Sequence, residues 1–167
     1  MLTAHELFGF MSPALGNEIL TFIADTEKPT YRATLSAVAE ARKVRPVFME
    51  RQAKSQRHTA MLASLGKPGL ELAAGNLIRM WLMKKYRSML VDFLTPLGIQ
   101  HEEGVVEDLP PTVEDAKLKD AVEALLQKYP HEVTAVYLNA FNEMNEANWP
   151  NLKSMLENDP RLQLGAK

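Results

Sequence analysis

The residues best suited to chemistry form a cationic group in the first half of the chain. Between residues 28 and 87 there are 13 Lys or Arg and only three Asp or Glu, a local net charge of +10. From residue 101 to the end, six Lys or Arg face 13 Asp or Glu, a net charge of −7, so the overall value of −2 conceals a strong separation of charge. The candidate anion-binding or partner-binding residues are Arg42, Lys43, Arg45, Arg51, Lys54, Arg57 and His58.

This cationic group has two interpretations. Clustered cations can bind the phosphates of nucleic acid or of another polyanion, with an affinity that falls steeply with salt because counterions are released. They can also dock against the acidic C-terminal part of the same chain, or form a solvated face, and this second interpretation is favoured. Exposed aromatic residues are not expected between the cations, and no DNA-reading motif is present, so nucleic acid is an open partner but not the favoured one.

Signatures of catalysis and of metal binding are weak in this sequence. His101 with Glu102 and Glu103 is the strongest metal candidate, but no histidine has a partner at the spacing of the H-E-x-x-H or Glu-x-x-His motifs. There is no cysteine for a thiolate metal site or a nucleophile. The Gly-Lys-Pro-Gly run at 66–69 lacks the rest of a phosphate loop, and G-x-S-x-G does not occur. We therefore expect no catalytic residue, no metal and no cofactor.

Helices must position these residues, because composition and proline spacing favour helix throughout. Leu, Ala and Met total 51 residues against 14 for Val and Ile, and straight-chain side chains and Ala lose little rotamer freedom in a helix. Ten prolines divide the chain into pieces of helix length, and proline is tolerated in the first turn of a helix. The sequence predicts an all-α fold: a single compact multihelical bundle of about seven to eight helices, forming one domain over residues 1–167.

Two helices in the first half of the chain have clear expected boundaries. Thr3 and Glu6 have the spacing of a capping box before a short helix over about residues 4–10. Pro46 is expected to open a fourth helix that ends near Gly66, because proline favours the first helical position and glycine follows helix ends. The polar stretch within this fourth helix must be exposed or covered by polar groups.

A central apolar helix is predicted over about residues 69–94, where apolar side chains occur on nearly every side. Gly75 inside it costs about 1 kcal/mol relative to Ala, and a tight crossing with another helix is its simplest explanation. A cap at Thr112 is expected to begin the next helix. Matching apolar stripes on either side of Pro130 then predict a C-terminal antiparallel helical hairpin.

The connecting and terminal segments have a different character. A long acidic loop is predicted over residues 95–111, and a mobile tail is predicted over residues 160–167. The longest stretch free of Asp, Glu, Lys and Arg covers residues 7–17, shorter than the roughly 20 residues that span a bilayer, so no membrane is expected as a partner. No Lys or Arg precedes Lys28, unlike in a secretory or transit peptide, and a cytoplasmic location is therefore expected.

Three classes of function are open, and we rank them. A non-catalytic helical interaction or adaptor module comes first, with another protein or a second copy of the chain as partner. Nucleic-acid or polyanion binding through the basic region 28–87 comes second. A small-ligand or metal-dependent enzyme, with a site assembled from distant residues, comes third. Salt-dependent binding would separate the second class from the first, and a deep pocket with convergent polar groups would favour the third.

Overall fold

Ten α-helices and two short 3-10 helices follow one another along residues 1–165, the part of the chain that the computed structural model describes. The α-helices are α1 (Ala4–Phe10), α2 (Pro13–Thr26), α3 (Lys28–Ala41), α4 (Pro46–Glu50), α5 (Lys54–Leu65), α6 (Glu71–Lys85), α7 (Arg87–Leu94), α8 (Asp115–Lys128), α9 (His131–Asn145) and α10 (Pro150–Asn158). Over these residues there is no strand, only an isolated antiparallel bridge between Glu102 and Val105. The predicted all-α class is confirmed, with more helices than expected.

The chain divides into two compact units, with the boundary between Trp81 and Leu82. The N-terminal unit comprises residues 2–81, in which α1, α2, α3 and α5 pack together. Its fully buried side chains include Leu7, Ile19, Leu20, Ile23, Val38, Met61, Leu65, Leu77 and Trp81. Burial of each large apolar side chain contributes about 1.5–3 kcal/mol, so this core positions the helices that carry the cationic group. That residues 1–167 form one domain stays a prediction.

The C-terminal unit, which begins at Leu82 and includes Met1, has an aromatic core. Phe93 packs edge-to-face on Tyr137 and on Phe141, with ring centroids 5.6 and 5.2 Å apart. Trp149 packs against Phe141 and is completely buried. The two helices expected in a C-terminal hairpin are present as α8 and α9, and their antiparallel pairing stays a prediction.

Helix α1 begins and ends where the sequence predicts. The Thr3 N–H donates to Glu6 Oε2 at 3.3 Å, one of the bonds of a capping box. A second carboxylate, Glu71, accepts the N–H groups of Ala4 and His5, both at 2.8 Å. Because a helix N-terminus carries partial positive charge, this acidic cap stabilises α1 from a distant part of the chain.

The prediction of one helix from Pro46 to about Gly66 is wrong, because the helix is interrupted at residues 51–53. Ala53 has an extended conformation with ψ of 144°, so α4 and α5 are separate helices. The last carbonyl groups of α4 need other donors, and Arg57 Nη1 donates to the carbonyl oxygen of Glu50 at 3.2 Å. The interruption lacks a proline or glycine, so helical spacing does not reveal it.

The central apolar helix predicted over residues 69–94 is likewise not one helix. It comprises the 3-10 helix Pro68–Leu70, then α6 and α7, which separate at Tyr86 (φ −118°, ψ 30°). The Tyr86 ring packs edge-to-face on Tyr129, with centroids 6.2 Å apart, a contact that no local pattern encodes. Leu72 is 80% exposed, so not every apolar side chain of this segment is buried.

The acidic loop extends further than predicted. Helix α8 begins at Asp115 with Glu114 as its N-cap, so the predicted cap at Thr112 is wrong and the loop covers residues 95–114. The Asn151 side-chain amide donates to the carbonyl oxygen of Val113 at 2.9 Å and to Asp115 Oδ1 at 2.8 Å. This tertiary contact holds the start of α8.

The tail predicted over residues 160–167 begins instead with ordered structure. A 3-10 helix covers Pro160–Leu162, and Leu162 is 1% exposed. Arg161 Nη1 donates to Glu123 Oε2 at 3.0 Å, which attaches this segment to α8. The rest of the predicted tail, residues 166 and 167, lies outside the described residues.

Candidate functional site

Helix α3 ends in a left-handed turn that sets the course of the following segment. Lys43 has φ of 57°, and its N–H donates to the Glu40 carbonyl oxygen at 3.0 Å. The N–H of Val44 donates to the Ala39 carbonyl oxygen, also at 3.0 Å. These are the two hydrogen bonds of a Schellman motif. They direct the chain into Arg45, the extended N-cap of α4.

Helix α4 presents apolar side chains to solvent. Met49 is 1% exposed and anchors the helix, whereas Val47 and Phe48 are 45% and 58% exposed. The expectation that no aromatic residue would be exposed between the cations is therefore wrong. Val47 and Phe48 line a groove of about 730 Å³. We call its lining residues the α4 surface: Val44, Arg45, Val47, Phe48, Arg51, Gln52, Ala53 and Gln56. An exposed apolar patch with a polar rim is typical of an interaction site.

Five of the seven candidate residues are exposed, namely Arg42, Lys43, Arg45, Arg51 and Lys54. Arg45 and Arg51 line the α4 surface. Arg42 lines an adjoining groove, which shares Gln52 and Gln56 with the α4 surface. Among the described residues of the N-terminal unit, no carboxylate forms an ion pair with any of these five cations.

The other two candidate residues are less exposed, because His58 is buried and Arg57 is half-buried. His58 is 2% exposed, with its Nε2 2.8 Å from the Tyr31 hydroxyl and its Nδ1 2.9 Å from Asn17 Oδ1. Arg57 Nε donates to the same Tyr31 hydroxyl at 2.9 Å. Because Asn17 Oδ1 can only accept, we assign the imidazole proton to Nδ1, so Nε2 accepts the proton of the Tyr31 hydroxyl.

The His58 imidazole is consequently neutral near pH 7. Its burial, and then the positive charges of Arg57 and Lys54, lower its pKa from 6.5 to about 4. A neutral buried imidazole provides no charge for an anion, and the network instead joins α2, α3 and α5. The sequence contains a signal for this burial, since Met61 and Leu65 follow His58 at i+3 and i+7 and are also buried.

The loop residues considered for a metal site are His101, Glu102 and Glu103. Both ring nitrogens of His101 are engaged locally: Nδ1 accepts the Gly104 N–H at 3.1 Å, and Nε2 lies 3.1 Å from the Thr95 hydroxyl. Glu103 Oε2 accepts from Arg87 Nη1 at 2.8 Å. Within residues 1–165, no three or more His, Cys, Asp or Glu side chains are grouped to hold a metal ion.

A polar cluster that the sequence did not predict lies in the C-terminal unit. Asp92 Oδ2 accepts from Lys128 Nζ and from the Tyr129 hydroxyl, both at 2.7 Å, and Ser88 Oγ lies 3.0 Å from that hydroxyl. Burial alone raises the pKa of Asp92, but the hydrogen bonds from Lys128 and Tyr129 hold it below its usual range. The cluster attaches α7 to α8, and its members are too far apart in sequence for spacing to reveal it.

In the described part of the chain, no helix combines the length and the apolar character that crossing a membrane requires. No protein-family model, curated protein or solved structure matches this chain.

Proposed function

We propose that this protein is a non-catalytic interaction module that binds an acidic protein partner through the α4 surface. The observation that carries the proposal is the exposure of Val47 and Phe48 between Arg45 and Arg51. Aromatic and arginine side chains contribute most to protein interfaces when a partner buries them. An acidic segment with apolar side chains matches both features of this surface.

The character of the α4 surface favours binding over chemistry. None of its lining residues is a nucleophile or a general acid or base. Met49 anchors α4, and Arg57 binds the carbonyl oxygen of Glu50 at the end of the helix. A preformed surface loses little conformational entropy when a partner binds.

Nucleic-acid or polyanion binding stays the second candidate, because Phe48 lies exposed among arginines. Stacking of a base on an exposed aromatic side chain contributes about 1–3 kcal/mol to single-strand binding. The neighbouring Val44 and Val47 offer aliphatic surface, for which a phosphate backbone has no complement. An acidic protein segment therefore fits the α4 surface better.

Fluorescence anisotropy with a labelled acidic peptide tests the proposal. The probe is a synthetic peptide of about 12 residues in which Leu and Phe alternate with pairs of Glu. We expect Phe48→Ser to weaken binding about 30-fold, equivalent to about 2 kcal/mol, because the ring is the main apolar contact. The matched control is Leu72→Ser, at a position on α6 that is 80% exposed, and it is expected to bind as the wild type does.

A single-stranded DNA of about 20 nucleotides is measured beside the peptide at about 50 and 300 mM NaCl. Preferential binding of the DNA, weakened by Phe48→Ser and by salt, would favour the polyanion candidate instead. The proposal is overturned if the peptide binds at neither of the two salt concentrations. It is also overturned if Leu72→Ser loses as much affinity for the peptide as Phe48→Ser does. Both substitutions lie at exposed positions and are expected to change the free energy of unfolding by less than about 0.5 kcal/mol.

A further inference from the structure

The acidic loop of this chain has the chemistry that complements the α4 surface. The chain reverses direction at Glu103 (φ 51°) and Gly104 (φ 89°). On either side, Glu102 and Val105 exchange two backbone hydrogen bonds of 2.9 Å. Two successive positive φ values between such a pair are those of a type I′ turn. We call residues 102–108 the acidic turn.

The surroundings of the acidic turn hold it in one conformation. A Cβ atom at Gly104 would lie 2.7 Å from the Cβ of Leu90, so the backbone packs directly on α7. His101 Nδ1 accepts the Gly104 N–H at 3.1 Å. Glu103 forms an ion pair with Arg87. The turn is therefore preorganised, and its docking would lose little conformational entropy.

The acidic turn exposes an apolar side chain among carboxylates. Val105 is 50% exposed, and Glu102, Glu107 and Asp108 are exposed beside it. No ion pair involves these three carboxylates in the part of the C-terminal unit that the structure describes. The acidic turn therefore has the opposite charge to the α4 surface, and each of the two has an exposed apolar side chain among its charged residues.

Resting on the proposed function, we infer that the partner is a second copy of this chain, with the acidic turn of one molecule docked on the α4 surface of another. Val105 covers Phe48, and the carboxylates of the turn face Arg45 and Arg51. Because two different surfaces meet, the contact is heterologous and can repeat from one molecule to the next. A single turn buries less than the roughly 1,200 Å² of a standard interface, so the association is weak and sensitive to salt.

Sedimentation equilibrium of the full chain tests this inference over about 5–500 µM protein, at about 50 and 500 mM NaCl. The monomer mass is 18.8 kDa. We expect the weight-average mass to rise toward and beyond twice this value with concentration at the lower salt, and to return to the monomer mass at the higher salt.

Charge exchange identifies the two surfaces. Arg45→Glu/Arg51→Glu makes the α4 surface acidic, and Glu102→Lys/Glu107→Lys makes the turn basic, so each variant alone opposes like charges and stays at 18.8 kDa. An equimolar mixture again pairs opposite charges and is expected to associate as the wild type does. The matched control is Lys67→Glu/Arg79→Glu, the same charge change at exposed positions outside the α4 surface, and it retains association.

Three outcomes overturn the inference: a wild type that stays monomeric at the highest concentration, charge variants that associate unchanged, or a mixture that fails to associate. Far-UV circular dichroism and thermal unfolding verify that each variant is folded. If the wild type binds the acidic peptide at the α4 surface but stays monomeric, only the second-copy inference fails. If it binds neither the peptide nor itself, the proposed function fails as well.

Discussion

His58 couples the stability of the N-terminal unit to pH. Its pKa is about 4 in the folded protein, against 6.5 for an ordinary His, so between these values the unfolded chain binds more protons. The free energy of unfolding therefore falls as the pH falls from about 6.5 to about 4, by up to about 3 kcal/mol. We expect His58→Gln, which does not titrate, to lose this part of the pH dependence, as measured by urea unfolding between about pH 4.5 and 7.

The exposed His131 provides the control for this prediction. His131→Gln is expected to keep the pH dependence of the wild type, because it leaves the buried His58 and its hydrogen bonds unchanged. A His58→Gln profile parallel to that of the wild type would contradict the neutral, hydrogen-bonded imidazole.

Tyr137 carries a buried hydroxyl group with no hydrogen-bond partner among the residues that the structure describes. The residue is 2% exposed, and burial raises its pKa. Because an unpaired buried polar group costs about 1–3 kcal/mol, we expect Tyr137→Phe to raise the free energy of unfolding by about 1 kcal/mol. Tyr129→Phe, which removes a hydrogen bond of 2.7 Å to Asp92, should lower it. Urea unfolding at pH 7 measures both, and a destabilised Tyr137→Phe would show that the hydroxyl is bonded.

The charge of a side chain predicts that it is exposed, but nothing comparable predicts which of two adjacent apolar side chains is exposed. The exposure of Arg45 and Arg51 follows from their charge. Phe48 and Met49 are adjacent and both apolar, yet only Met49 is buried. A helix of five residues is too short for apolar spacing to choose between them, so the packing of α4 on α3 decides. The apolar centre of the α4 surface therefore had to come from the structure.

Among the helices, α6 offers a direct test of why it contains Gly75. A Cβ atom there would lie 3.8 Å from the Cβ of Ala4, an ordinary contact, so the expected tight crossing is wrong. Since Gly costs about 1 kcal/mol relative to Ala inside a helix, Gly75→Ala is expected to raise the free energy of unfolding by about 0.5–1 kcal/mol. Gly104→Ala should lower it, because φ is 89° and a Cβ would clash with Leu90. Thermal unfolding compares them, and a lower Tm for Gly75→Ala would refute this interpretation.

Helix starts could be predicted where the sequence carries its own cap, and interruptions could not. Thr3 with Glu6 fixes the start of α1 locally, and the observed bounds match the prediction. The interruptions at Ala53 and Tyr86 contain no proline or glycine. They depend on partners that only the folded chain brings near, such as the Arg57 guanidinium at the end of α4.

At the scale of the whole molecule, the separation of charge could be predicted from the sequence, but the position at which the chain divides into two compact units could not. The N-terminal unit has ten Lys or Arg against seven Asp or Glu, and the C-terminal unit has nine against fourteen. Counting charges needs no structure. Apolar stripes show that each helix is buried on one side, but they do not specify which helices share a core.

This separation of charge predicts an unusual response of the whole molecule to salt. A uniformly charged protein repels its copies less as salt screens the charge, so its second virial coefficient falls. Where opposite charges on two copies attract, salt screens attraction instead, and we expect the coefficient at pH 7 to rise between about 20 and 300 mM NaCl. Static light scattering measures this coefficient.

Arg45→Glu/Arg51→Glu changes the net charge from −2 to −6 and removes the cations of the α4 surface. Its coefficient should fall with salt, and a wild-type coefficient that also falls would mean that opposite charges on separate copies do not attract.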